Sequence, residues 1–190
     1  MKPLSSILGI YVLVLIVPLF SGNIQEKNIN VVETNTIATN SIVYIEEETP
    51  IMIGDETKEE VIEKLNKVLK HELKNNGEIL VEKALAYEVD PYIAVAIILH
   101  ETGCNSGKCS NLVRACNNVG GQKTSSQNKC GNGSYAKFPS IEIGIDKFFS
   151  NLSRNYIQKG LTTPELMNKK YAESTTWASK INYYVNWLKK

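Results

Sequence analysis

The sequence predicts a mainly α-helical domain that carries a small, irregular lobe crosslinked by disulfides. Three observations support this prediction: 43% of the 190 residues are apolar, helical periodicity recurs from residue 57 onward, and four cysteines lie within 27 residues rich in Gly, Asn and Ser. The same composition excludes a collagen-like chain, a wholly disordered chain and a polytopic membrane protein.

The N-terminus predicts export. After Lys2, residues 7–20 form an uncharged apolar run of 14 residues, which is the length of a signal-peptide core and shorter than the ~20 residues of a spanning helix. The residues that follow make a poor cleavage site, so two alternatives stay open for residues 1–22. They are a removed signal peptide, which gives a secreted protein, or a membrane anchor that uses residues 4–20 and gives a cell-surface protein.

Residues 23–55 are acidic and rich in Asn and Thr, with little periodicity, and predict a linker ahead of a catalytic domain at 56–190. Charge divides along the chain: residues 23–101 hold 16 acids and 7 bases, whereas residues 102–190 hold 4 acids and 13 bases. A basic half suggests an anionic polymer as partner, although a solvated basic face would give the same pattern.

Apolar periodicity predicts a first helix over 57–76, with Thr57 and Glu60 as a capping box and Gly77 as its stop. A second helix is predicted over 78–88.

Asp90 and Pro91 then predict the start of a third helix, since a capping side chain precedes a proline at the first helical position. This helix is apolar nearly all round and is therefore expected at the centre of the domain. After it, residues 102–138 predict turns or short strands. Helical patterns return at three places: 139–158 behind Ser140, a short helix from Thr163 and Pro164, and 174–189.

The four cysteines are Cys104, Cys109, Cys116 and Cys130. An even, clustered set in an exported chain favours two disulfides with three possible pairings. Local pairing of Cys104 with Cys109 and of Cys116 with Cys130 is favoured, because each bond would close one loop. A zinc site that also uses His100 is the alternative, but the paired spacings of zinc knuckles are absent from the sequence.

Glu101 is the candidate catalytic residue on physical grounds. It follows Ile97, Ile98 and Leu99 at the C-terminal end of the most apolar helix, next to the polar lobe. Apolar neighbours and the negative end of a helix dipole both disfavour an ionised carboxylate and raise its pKa. Such a group can give a proton to a leaving oxygen, as in glycoside cleavage. The alternative is that Glu101 is an ordinary solvated residue at the end of a helix.

Four segments in order carry a family resemblance: 96–103 (AIILHETG), 117–121 (NNVGG), 135–144 (YAKFPSIEIG) and 160–174 (GLTTPELMNKKYAES), the last followed by Trp177. They resemble the bacterial cell-wall glucosaminidases of glycoside hydrolase family 73, in the lysozyme-like superfamily. The resemblance extends from the first amphipathic helix to the C-terminus. The cysteine-rich insert is not a general feature of that family, so the geometry of the small lobe is left open.

The resemblance implies a lysozyme-like α+β fold in which Glu101 is the general acid and Tyr171 lies near it. The substrate-binding residues that it implies are Asn117, Asn118, Gly120, Tyr135 and Phe138. Each has a structural alternative: the Asn and Gly residues suit a tight turn, and the aromatic rings suit core packing. Trp177 and Trp187 are assigned to the core.

The expected activity is that of an exported peptidoglycan hydrolase that cuts between N-acetylglucosamine and N-acetylmuramic acid. Its expected partners are peptidoglycan glycan strands and anionic wall polymers, with membrane contact only through the N-terminal segment. No nucleotide-binding glycine pattern is present in the sequence, and no cofactor, metal or nucleic acid is expected. A muramidase, a lytic transglycosylase and a noncatalytic wall-binding module remain alternatives.

A second carboxylate is not evident in the sequence. The acids after Glu101 are Glu142, Asp146, Glu165 and Glu173, and none has apolar neighbours of the same kind. An enzyme without such a group would use the acetamido group of its substrate as the nucleophile.

Overall fold

The computed structural model describes residues 49–190. The predicted signal peptide or anchor, and the predicted linker as far as residue 48, lie outside the described residues. Within residues 49–190, no helix combines the length and the apolar character needed to cross a bilayer.

The described chain begins with a short antiparallel hairpin, in which Met52 pairs with Thr57 and Ile53 with Glu56. Its strands are β1 (Met52–Ile53) and β2 (Glu56–Thr57), so the hairpin starts inside the predicted linker. The helices that follow are α1 (Lys58–Val68), α2 (Gly77–Ala86), α3 (Pro91–Thr102), α4 (Asn111–Cys116), α5 (Ile141–Asn155), α6 (Pro164–Tyr171) and α7 (Trp177–Leu188). Short 3-10 turns lie at His71–Leu73 and Ile157–Lys159.

Local capping signals set where the helices begin. The Thr57 hydroxyl accepts the Glu60 backbone N–H at 3.2 Å, and the Thr57 backbone N–H donates to the Glu60 carboxylate at 2.8 Å, so the predicted capping box is confirmed. Asp90 accepts the Ile93 N–H at 3.0 Å ahead of α3, as predicted.

The prediction of one continuous helix over 57–76 is wrong. Helix α1 ends at Val68, and Lys70 donates its backbone N–H to the Cys104 carbonyl at 3.0 Å. The chain therefore leaves the helix to bond with the crosslinked loop, and it crosses a left-handed residue at His71 (φ 54°). The hydrogen bond to the Cys104 loop therefore ends the helix, although the apolar periodicity of the sequence continues to residue 76.

Gly77 begins α2 and does not stop a helix, which also corrects the sequence prediction. Its backbone N–H donates to the Asn66 side chain at 2.9 Å. A Cβ at this position would lie 2.7 Å from that Asn66 oxygen and 2.8 Å from the Ile62 carbonyl. Glycine is needed here because the start of α2 presses against α1.

Helix α3 is the buried centre of the domain, as its apolar composition predicts. Residues 94–99 are all 0% exposed. Helix α7 covers α3 with its apolar face, which includes Trp177, Ile181 and Leu188. Helix α5 adds a further apolar face of Ile145, Phe148, Phe149 and Leu152.

The crosslinked lobe lies between α3 and α5 in the chain. Disulfides join Cys104 to Cys109 and Cys116 to Cys130, which is the local pairing that the sequence favours and leaves no thiol free as a metal ligand. The lobe contains isolated antiparallel bridges and also α4, a six-residue helix that the sequence prediction of turns or strands missed. Helix α4 is too short to show a clear apolar period.

The lobe meets the helical core at two glycines. A Cβ on Gly120 would lie 2.2 Å from the Phe148 ring, and a Cβ on Gly144 would lie 1.8 Å from the Asn117 carbonyl oxygen. The turn after α4 therefore rests directly on α5, and neither glycine has room for a larger residue.

We expect Gly144→Ala to lower the free energy of unfolding by at least about 2 kcal/mol, because the new methyl group would displace the Asn117 backbone. This loss would oppose the gain of about 1 kcal/mol that alanine normally brings to a helix. Urea unfolding measures it. The control is Gly107→Ala, where a Cβ meets nothing within 4 Å. Equal stability of the two variants would contradict the close approach.

Candidate active site

Glu101 lies at the end of a helix whose terminus is well anchored. The next residue, Thr102, is buried and donates its hydroxyl to the Ile98 carbonyl at 2.6 Å. Gly103 caps the helix in the left-handed conformation (φ 67°) and donates its N–H to the Leu99 carbonyl at 2.9 Å. These bonds hold the backbone that carries the carboxyl group.

The pKa of Glu101 is raised, which is the direction that its apolar neighbours predict. Partial burial of the carboxyl group is the main cause, and the charge of His100 and the indole N–H of Trp177 oppose it. A carboxyl group in this environment keeps its proton to a higher pH than an ordinary glutamate.

The turn after α4 borders Glu101. Gly121 is in the left-handed region (φ 60°), and a Cβ built on it would lie 3.8 Å from Oε2 of Glu101. The NNVGG segment and the carboxyl group are therefore neighbours, although they are separate in the sequence. Gly120, the glycine before it, faces the ring of Phe148.

Asn118 holds this turn together. It is 1% exposed, and its side-chain amide donates to the carbonyls of Gln122 (2.9 Å) and Ala136 (3.0 Å) while its oxygen accepts the Gln122 N–H at 2.9 Å. Asn117 adopts the left-handed conformation (φ 53°) and donates its side-chain amide to the Phe138 carbonyl at 2.9 Å. Both side chains hydrogen-bond to the backbone. This is the structural role in a tight turn that the sequence predicts as the alternative to substrate binding.

Tyr171 and Trp177 form an aromatic pair at the site. Their rings stack with centroids 4.5 Å apart and planes at 22°, and the Tyr156 ring lies 5.6 Å from that of Tyr171. The pKa of Tyr171 is raised by burial, then by the charge of Glu101 and by Tyr156. The hydroxyl of Tyr171 therefore stays protonated near the carboxyl group.

Trp177 is the residue that sequence reasoning placed only in the core. It is 3% exposed, so the burial is as expected. Its Nε1 is nevertheless buried without a hydrogen-bond partner among the described residues, and its N–H lies near enough to Glu101 to lower the pKa of that carboxyl group. The sequence does indicate a role for Trp177 at the site, because Trp177 closely follows the KYAES motif that contains Tyr171.

The two remaining predicted residues lie on the lobe side of the domain. Tyr135 is 37% exposed and bridges to Lys123 through the backbone. Phe138 is half-buried ahead of α5 and lines a polar pocket. Neither side chain is among the groups that shift the pKa of Glu101.

Two of the four acidic side chains downstream of Glu101, Asp146 and Glu165, have partners elsewhere. Asp146 pairs with Lys83 at 2.7 Å, which lowers the pKa of the Asp146 carboxyl group. Glu165 accepts a hydrogen bond from the Asn182 side chain. Within residues 49–190, no second carboxylate contributes to the pKa of Glu101.

The domain has a helical lobe built around one buried helix and a small crosslinked lobe, and a carboxyl group with a raised pKa lies where they meet. This arrangement defines a lysozyme-like fold. The family model for glucosaminidase, described as mannosyl-glycoprotein endo-beta-N-acetylglucosaminidase, matches residues 77–190. The chain belongs to this family, as its resemblance to glycoside hydrolase family 73 predicts.

Solved structures of Staphylococcus aureus autolysin E share the fold. A catalytic mutant in complex with the disaccharide NAG-NAM matches with a TM-score of 0.54 at 20% identity, covering 70% of this chain and 66% of that one. Another structure of autolysin E and its complex with the muropeptide NAM-L-Ala-D-iGlu each match with a TM-score of 0.52 at 20% identity, covering 70% of this chain. This chain spans 65% and 66% of those two structures, slightly less than two thirds. No curated protein matches the sequence significantly.

We expect Trp177→Phe to raise the pKa of Glu101 further, because the substitution removes the indole N–H that favours the ionised carboxylate. Phenylalanine keeps a ring to stack on Tyr171. Carboxyl ¹³C NMR titration of the full chain measures the shift. Trp187→Phe, on the same helix, is the matched control and should leave the pKa unchanged. An unaltered pKa in Trp177→Phe would show that the indole does not act on the carboxylate.

Proposed function

We propose that the protein is an exported peptidoglycan hydrolase, an endo-β-N-acetylglucosaminidase that cleaves the glycan between N-acetylglucosamine and N-acetylmuramic acid. The observation that carries the proposal is the raised pKa of Glu101 at the meeting point of the two lobes, in a member of the glucosaminidase family. The ligands bound in the autolysin E complexes, NAG-NAM and a muropeptide, support a peptidoglycan substrate for this chain as well.

Glu101 acts as the general acid. Its protonated carboxyl group donates to the glycosidic oxygen as the bond to the anomeric carbon breaks, which stabilises the leaving group. Tyr171, protonated and close to the carboxylate, orients Glu101 or a substrate hydroxyl. Activity falls as pH rises through the pKa of Glu101, because only the protonated form can donate.

The nucleophile is the acetamido group of the substrate. Its carbonyl oxygen attacks the anomeric carbon to form a cyclic oxazolinium ion, and Glu101, now ionised, takes a proton from the water that opens the ring. Support comes from the engagement of Asp146 with Lys83 and of Glu165 with Asn182, and from the pKa of Glu101, to which no other carboxylate among residues 49–190 contributes.

Export and wall binding complete the proposal. Residues 1–22 direct export, as a signal peptide or as an anchor through residues 4–20, and residues 56–190 form the catalytic domain. The basic half of the chain, with 13 bases and 4 acids over 102–190, attracts anionic wall polymers. This attraction weakens as salt rises.

We expect Glu101→Gln to reduce peptidoglycan cleavage by the full chain by about 10²–10⁴-fold, the contribution of a general acid. The variant should fold and be at least as stable as wild type at neutral pH. A raised carboxyl pKa means that the folded state loses stability as pH rises through that pKa, and glutamine removes this cost. The control is Glu63→Gln, whose side chain is 70% exposed on α1. A folded, active Glu101→Gln would refute the assignment.

The same digests identify the bond that is cut. After borohydride reduction, mass spectrometry should find reduced N-acetylglucosamine ends. Reduced muramic acid ends would make the protein a muramidase, and anhydro-muramic ends would make it a lytic transglycosylase. Wall binding by the folded wild type without any product would make it a binding module.

We expect the first-formed product to retain the β configuration at the cleaved carbon, because substrate assistance involves two successive displacements at that carbon. ¹H NMR of the anomeric proton, recorded before mutarotation, measures the configuration. Inversion would exclude the acetamido nucleophile and would require a carboxylate to activate water.

A further inference from the structure

The polar pocket that Phe138 lines lies between α5 and the crosslinked lobe. It has a volume of about 360 Å³. Helix α5 contributes Lys147 and Arg154, which lie two turns apart on one face, and the lobe contributes Gln122, Lys123 and Phe138. The pocket is thus formed jointly by the helical core and the crosslinked lobe, the two parts of the domain that meet at Glu101.

The charged residues that line this pocket are all basic. Lys123, Lys147 and Arg154 carry three positive charges, and no acidic residue lines the pocket. Lys147 is 3.8 Å from Asp146, but the other oxygen of that carboxylate is held by Lys83 at 2.7 Å. The pocket is therefore suited to an anion.

Gln122 supplies a hydrogen-bond acceptor without a partner. Its side-chain N–H donates to the Lys147 carbonyl at 3.0 Å, and its backbone bonds to Asn118 and Ala136 hold the residue in place. Its Oε1 is buried and has no hydrogen-bond partner among residues 49–190. A buried acceptor without a partner is costly, so it favours a ligand that brings an N–H or O–H donor.

The pocket borders the catalytic group. Gln122 directly follows Gly121, whose Cβ position lies 3.8 Å from the Glu101 carboxylate. One turn of backbone therefore borders both the Glu101 carboxylate and the pocket, so a single extended ligand can contact both.

We propose that this pocket binds the peptide stem of peptidoglycan, with Gln122 Oε1 accepting a stem amide N–H and with Lys147 and Arg154 binding a stem carboxylate. The inference rests on the proposed function. A stem carries amide N–H donors and carboxylates on one short chain attached to the glycan, which matches the acceptor, the basic groups and the position of the pocket. Binding of the stem thereby makes the enzyme selective for glycan that still bears peptides.

The test compares two substrates, both free of anionic wall polymers: glycan strands with their stems, and strands stripped of stems by an amidase. We expect wild type to prefer stem-bearing strands by about tenfold in kcat/KM, the effect of one charge-assisted hydrogen bond. In Lys147→Gln/Arg154→Gln this ratio should fall to about one. Glutamine preserves helix propensity.

The control is Lys67→Gln/Lys74→Gln, which removes the same charge from exposed positions outside the pocket and should keep the wild-type ratio. An unchanged ratio in the pocket variant would overturn the proposal. A ratio lost equally in both double variants would attribute the preference to net charge. A third substrate, cell walls that retain their anionic polymers, is digested in parallel. A loss of activity in the pocket variant on this substrate alone would assign the pocket to those polymers and overturn the proposal.

A binding measurement separates this proposal from the proposed function. The dipeptide N-acetyl-L-Ala-D-Glu is titrated into full-length Glu101→Gln, and the side-chain amide resonance of Gln122 is followed by NMR. Saturable shifts of the Gln122 resonance that disappear in the Lys147→Gln/Arg154→Gln background support stem binding in the pocket. This holds even if wild type cleaves neither glycan. Cleavage of both glycans without any saturable shift would refute stem binding in the pocket and would leave the proposed hydrolase activity supported.

Discussion

The arrangement of this domain depends on one buried amide. Asn118 uses its side chain to bond to Gln122 and Ala136, and so joins the turn after α4 to the returning segment of the lobe. The same turn rests on α5, where Gly144 has no Cβ to obstruct it. Because the turn is held from both sides, Gly121 lies beside Glu101 and the lobe cannot shift without moving the wall of the site.

Buried polar atoms without partners are concentrated around this site. Among the described residues, three buried side-chain atoms lack a hydrogen bond: Ser110 Oγ, Gln122 Oε1 and Trp177 Nε1. Folded proteins pair nearly all such groups. One of the three lies near the Glu101 carboxylate and another borders the turn beside it, and Glu101 itself has a raised pKa. The site therefore holds polar groups at a cost in stability that a bound substrate can offset.

The charge asymmetry of the chain has a counterpart in the structure. In the acidic half, ion pairs such as Glu56 with Lys64 (2.7 Å) and Glu82 with Lys58 (3.4 Å) use bases of the same half. In the basic half, Lys147 and Arg154 lie on one face of α5 and line a pocket without acidic groups. The excess of bases thus lies partly beside the site, where it can act on an anionic substrate.

The sequence by itself determined the helices whose signals are local and the position of Glu101 at the end of α3. A cap such as Thr57 acts on its own helix, and an apolar run must be buried in any fold. Only the tertiary structure decided that Gly77 begins a helix, since the reason lies in the contact between α2 and α1. It also decided that Trp177 faces Glu101 and that Asn118 bonds to the backbone. These roles depend on which distant residues meet, and periodicity along one segment carries no information about that.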